Sequence, residues 1–99
     1  MSIISVNHLC RDITRDPVLR ESFLRDPEGS LARYPRKFTE IERTALLAGD
    51  VGTLYQMGVN AYLMGYLGRY GVFGLTVQSY SDRVRASVNA GMDAQLHTK

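Results

Sequence analysis

Val51-Gly52-Thr53-Leu54-Tyr55-Gln56-Met57-Gly58-Val59-Asn60-Ala61-Tyr62-Leu63-Met64-Gly65-Tyr66-Leu67-Gly68 contains no charged side chain. Along it, Leu54, Tyr55, Gly58, Val59, Ala61, Tyr62, Leu63 and Tyr66 recur at helical steps, which predicts a helix opened by a capping Asp50 and buried on most sides. A helix that is apolar all round needs other helices to cover it. The expected fold class is therefore all-α, a small compact domain of about five to six short helices around one buried central helix.

Upstream, the helix signals are local and strong. Asp16-Pro17 and Asp26-Pro27 each set a capping carboxylate before a proline, whose missing N–H costs nothing in a first helical turn. They predict helices over residues 18–25 and 28–34, with Leu19, Phe23, Leu24, Leu31 and Tyr34 turned to a common core and Arg20 left wet. Pro35 ends the second of these. Before them, Val6, Leu9, Cys10 and Ile13 share one side of a helix over residues 7–15, with Asn7 as its cap. Thr39-Glu40-Ile41-Glu42 has the form of a capping box, preceded by Phe38 as a staple residue, and Gly49 suits the C′ position that closes the helix.

Downstream, Gly65, Gly68, Gly71 and Gly74 follow one another every third residue. Each glycine costs a helix about 1 kcal/mol relative to alanine, so the series predicts that the central helix gives way to a loop. A last helix is expected over residues 79–90, with Tyr80, Val84 and Val88 at four-residue steps, followed by a loose tail from about residue 91.

The chain has 99 residues, 44% of them apolar and 22% charged, which fits one globular domain spanning residues 1–99. The net charge of +2 comes from 12 basic and 10 acidic residues that are interspersed, so no nucleic-acid partner is expected. Residues 57–66, the longest weakly polar run, fall short of the roughly 20 apolar residues of a membrane span. The N-terminus lacks the marks of a secretory leader, and cytoplasmic localisation is expected. Cys10 is the only cysteine, which rules out an internal disulfide and leaves a buried small hydrophobe, the favoured reading, or a reactive thiol.

Catalytic parts are sparse. The two histidines, His8 and His97, lie at opposite ends of the chain, and a mononuclear metal site needs three or four well-placed donors. His8 and Asp12 share a helical face, a spacing that an exposed polar surface explains without a metal. His8 and Cys10 sit two residues apart on different faces of one helix, a poor arrangement for a base and its nucleophile. The glycine series lacks the Lys-Ser/Thr of a phosphate-binding loop. Gly58-Val59-Asn60 resembles the turn of a helix-turn-helix, yet Ala61, Tyr62, Met64 and Tyr66 would offer DNA no cation before Arg69. No self-sufficient active site is visible, and the chain reads as a subunit or accessory module. Tyr55, Tyr62, Tyr66, Tyr70 and Phe73, with Met57 and Met64 among them, either fill the core or face a partner.

The stretches Arg15-Asp16-Pro17 through Phe23, Asp26-Pro27-Glu28, and Phe38 through Leu63, with the Thr39 capping box, Gly49-Asp50, and Gly58 followed by Asn60 and Tyr62, carry a resemblance. Over residues 7–75 the chain resembles the LigA family, the small alpha subunit of protocatechuate 4,5-dioxygenase. The resemblance implies a helical, non-catalytic subunit that packs on a larger beta-type subunit and caps its active site. In such an enzyme the larger subunit supplies the Fe(II) ligands and the histidine base for extradiol cleavage of a catechol-type ring, so this chain would bind no cofactor itself. It also implies that Phe73 faces substrate, and that Asn60, Tyr62, Tyr66 and Tyr70 serve the helix motif or the partner interface. Set against that resemblance, the family's longer N-terminal arm is expected to be missing from this chain. The alternative is a stand-alone homo-oligomeric helical interaction module without a role in ring cleavage.

Overall fold

The computed structural model describes the backbone of residues 2–97 and the side chains of residues 3–88. Among the described residues there is no strand, and seven α-helices follow one another: α1 (Ser2–Arg15), α2 (Pro17–Arg25), α3 (Pro27–Arg33), α4 (Glu40–Ala48), α5 (Val51–Gln56), α6 (Ala61–Arg69) and α7 (Val77–His97), with a 3-10 turn at Val72–Gly74 between the last two. The all-α expectation holds.

Side-chain caps fix most of the helix starts. The Asp16 carboxylate accepts from the Val18 and Leu19 N–H groups, and Asp26 both ends α2 and accepts from Gly29 N–H at the start of α3. Thr39 and Glu42 close the reciprocal capping box, and Gly49 ends α4 in the left-handed region at φ 67°. Phe38 stacks on Tyr34, with ring centroids 6.0 Å apart. Asp50 then accepts from Thr53 N–H to start α5.

Four boundaries differ from the sequence reading. Helix α1 begins at Ser2, so Asn7 lies inside it and does not cap it; its Oδ1 instead accepts from the Asn60 N–H at 2.9 Å. The central helix is two helices. Met57 ends α5, Gly58 turns at φ 99°, and Asn60 restarts the chain by accepting from Leu63 N–H. The glycine series does two jobs: Gly65 and Gly68 lie within α6, while Gly71 and Gly74 take φ near 73° and 74° in the turn that follows. The backbone of α7 is helical through His97, and the side chains of the expected tail, His97 included, lie outside the described residues.

The core gathers Val6, Leu9, Cys10 and Ile13 of α1, Phe23 of α2, Leu31 and Tyr34, Leu46, Leu54, Met64, Leu67 and Leu75. Leu24, expected in it, is half exposed, and Arg20 is half buried, its aliphatic stem and guanidinium covering protein surface. Helix α7 lies against α5 and α6 at close range. A Cβ on Gly52 would sit 3.0 Å from the Arg83 carbonyl oxygen, and the Ser87 hydroxyl donates to the Gly52 carbonyl at 3.1 Å. Arg83 donates to the Gly49 carbonyl at 2.7 Å, placing a cation at the C-terminal end of α4, where the helix dipole is negative. Among the described residues no helix is long and apolar enough to cross a membrane.

Candidate functional site

The uncharged stretch over residues 51–68 is only half buried. Met64, Leu67 and Gly68 turn inward, and the opposite side of α6 carries Tyr62, 74% exposed, followed by Tyr66 and Tyr70 at four-residue steps. The three rings form a ladder. Tyr62 and Tyr66 meet edge to face at 5.6 Å and share a hydrogen bond between their hydroxyls at 3.1 Å; Tyr66 and Tyr70 stack at 6.2 Å. That shared hydrogen bond, with the neighbouring Tyr62 phenol, raises the Tyr66 pKa above its ordinary value.

Arginines flank the ladder. The Arg20 guanidinium lies 4.0 Å from the Tyr70 ring centre and donates through Nε to the Ile13 carbonyl at 3.1 Å, which ties α2 to the last turn of α1. Arg69 stands 6.0 Å from the Tyr66 ring centre and is exposed. Beside it a cleft of about 460 Å³ opens between α6 and α7, lined by Tyr62, Gly65, Tyr66, Arg69, Val77, Tyr80 and Ser81. The Tyr80 hydroxyl donates to the Ala61 carbonyl at 2.7 Å, which fixes the far wall. Val77, at the rim, is 63% exposed.

A larger depression of about 530 Å³ runs along α5 and α7, but its polar groups serve the fold. Asp50 accepts from Thr53, Gln56 donates to Ser87, and Arg83 donates to the α4 carbonyls. The cleft beside Tyr62 is the better candidate because its aromatic and cationic groups point outward and one of them, Arg69, pairs with no carboxylate among the described residues.

The residues singled out from sequence fall in different places. Asn60 caps α6 and receives no external role in this geometry; Tyr62, Tyr66 and Tyr70 are brought together. Phe73 stands apart from them. It is 8% exposed, its ring meets Phe23 edge to face at 5.7 Å, and its backbone adopts φ 59°, ψ 29°, a conformation unusual for a bulky residue. Tyr80 is legible in the sequence only as a position on the last helix, Val77 lies before the expected start of that helix at residue 79, and nothing in the linear spacing couples either to Tyr62. Arg69 had a visible signal, as the first cation after the uncharged stretch.

The polar residues of α1 do not assemble a catalytic set. His8 Nδ1 lies 2.7 Å from an Arg11 guanidinium nitrogen, and desolvation with Arg36 and Arg11 lowers the imidazole pKa. Asp12 accepts from the Tyr34 hydroxyl, and burial together with that bond raises the phenol well above its usual range. Glu42 is fully buried, one carboxylate oxygen accepting from Thr39 N–H and the other without a partner. Among the described residues no group of three or more His, Cys, Asp or Glu side chains could hold a metal ion. Cys10 is fully buried, and burial pushes its thiol up to about 12. We therefore expect the native protein to react with an aromatic disulfide reagent at pH 8 at least about a hundredfold more slowly than the urea-unfolded chain, because thiolate and access are both withheld; equal rates in both states would contradict the buried placement.

Comparison with known proteins gives one result. No curated protein and no solved structure matches the chain. Residues 6–93 match the family model described as aromatic-ring-opening dioxygenase LigAB, LigA subunit. By that match the chain belongs to the LigA family of aromatic-ring-opening dioxygenase small subunits.

Proposed function

We propose that this chain is a cytoplasmic, non-catalytic small subunit that packs on a larger subunit of an iron-dependent extradiol dioxygenase and caps its active site. The observation that carries the reading is the family match over residues 6–93. The exposed aromatic face of α6 supports it, since Tyr and Arg are the residue types enriched where proteins meet. The iron belongs on the larger subunit. In this chain the donors that could be enlisted are engaged elsewhere, His8 beside Arg11 and Asp12 with Tyr34, and they do not fit an iron site.

What this chain contributes is cover. An apolar lid excludes water from the cleft beneath it and fixes the position of the ring to be opened. The turn from Gly71 to Leu75 borders that cleft on this reading. Phe73 reaches the ligand by leaving Phe23, a movement for which its unusual backbone and the two flanking glycines at positive φ provide the means. Reconstitution tests the proposal. Adding this chain to the purified larger subunit with Fe(II) is expected to raise kcat/KM for ring opening of a catechol by about tenfold or more, equal to about 1.4 kcal/mol of transition-state stabilisation. Unchanged turnover, with no complex by gel filtration, would sink it.

A second reading, a homo-oligomeric interaction module, draws on the exposure of Tyr62 and Val77 around one cleft. Sedimentation of the free chain separates the two.

A further inference from the structure

We infer that the cleft between α6 and α7 receives a segment of the larger subunit that places an apolar side chain between Tyr62, Val77 and Tyr80 and an adjacent carboxylate on Arg69. This rests on the small-subunit reading and adds to it the docking site and the chemistry of the segment that fills it.

Charge and shape select the occupant. Arg69 is the one charged residue of the lining, is exposed, and pairs with no carboxylate among the described residues, while Asp82 on α7 accepts from Gln78 and does not line the cleft. A guanidinium set beside a tyrosine face presents its planar fork to a carboxylate in two parallel hydrogen bonds. The apolar part is equally defined. Gly65 supplies the floor, so the Tyr80 ring approaches α6 to 3.7 Å from where a Cβ would stand, and the Tyr80 bond to Ala61 holds that wall without a partner present. A cleft with one wall fixed beforehand loses less freedom on binding, and Tyr and Arg side chains that become desolvated together are the usual composition of an interface hot spot. A single arginine amid tyrosines does not track a phosphate backbone, which needs a run of cations.

The test measures binding of the purified larger ring-cleaving subunit from the same organism to the intact chain by isothermal calorimetry. Tyr62→Ala and Arg69→Ala are compared with Ile41→Ala, a change at a residue 64% exposed on another helix. The expected result is a loss of about tenfold or more in Kd for each cleft variant, a weaker salt dependence for Arg69→Ala, and wild-type affinity for Ile41→Ala, with circular dichroism confirming that all three fold. Wild-type affinity in both cleft variants would overturn the docking site and leave the subunit reading standing. No binding by the unaltered chain would overturn both. A dimer of the free chain that Tyr62→Ala dissolves would give the cleft to a second copy and overturn the inference.

Discussion

Replacing Phe23 by alanine is expected to remove about 3–5 kcal/mol of folding stability, much of the total available to a domain of this size. Phe23 is the largest of the fully buried side chains. Its ring is also the surface on which Phe73 rests, at 5.7 Å and nearly perpendicular. Truncation leaves a cavity and also releases the contact that offsets the left-handed backbone of Phe73, which costs a bulky residue about 1–2 kcal/mol. A second pair of variants isolates that backbone term. Phe73→Ala and Phe73→Gly lose the same contact, but only glycine accepts φ 59° freely, so the glycine variant should be the more stable by about 1 kcal/mol, contrary to the ordinary ranking. Urea unfolding followed by circular dichroism measures both effects. A loss below about 1 kcal/mol for Phe23→Ala would mean that α2 does not pack on the Gly71–Leu75 turn as described, and alanine outranking glycine at residue 73 would remove the strain.

What the sequence made legible were the features fixed by neighbours in the chain. The Asp-Pro pairs, the Thr39–Glu42 box and Gly49 each satisfy backbone groups within a few residues of themselves, so their outcome needs no knowledge of the rest of the fold. The break between α5 and α6 was harder to see because the apolar spacing runs through it without a fault. Its signals were Gly58 and Asn60, and they mean a turn only once Asn7, fifty-three residues away, is known to accept from the Asn60 N–H. Spacing alone lets the aromatic series fill the core or face a partner. Its division, with Phe73 inside and Tyr62 outside, depends on which flank of α6 meets α1 and α7, and that is a tertiary fact. Arg20 shows the same limit. Its helix spacing marks it as solvent-facing, whereas the structure lays it over Tyr70.

Glycine-to-alanine changes three residues apart in α6 should have opposite signs. At Gly65 the nearest neighbours of an added Cβ would be atoms of the Tyr80 side chain, at 3.7 Å or beyond, an ordinary van der Waals distance. Alanine there gains helix propensity and some packing, so Gly65→Ala is expected to stabilise the fold by up to about 1 kcal/mol. At Gly68 the same methyl would stand 2.8 Å from the Thr76 carbonyl oxygen and 2.9 Å from the Tyr80 Cβ, and the first of these is backbone that cannot swing aside. The start of α7 has to move outward, and Gly68→Ala is expected to destabilise by about 1–3 kcal/mol despite the better helix former. Thermal unfolding reads the contrast directly, as about 4–8 °C per kcal/mol for a chain of this length. The consequence reaches the cleft, because Val77 and Tyr80 ride on the start of α7, which Gly68 lets approach closely, while Tyr62 and Arg69 ride on α6. Gly68→Ala should therefore weaken binding of the larger subunit even at a temperature where the variant is fully folded. If both variants are stabilised alike, α7 does not lie as close to α6 as this geometry has it, and the cleft loses its fixed wall.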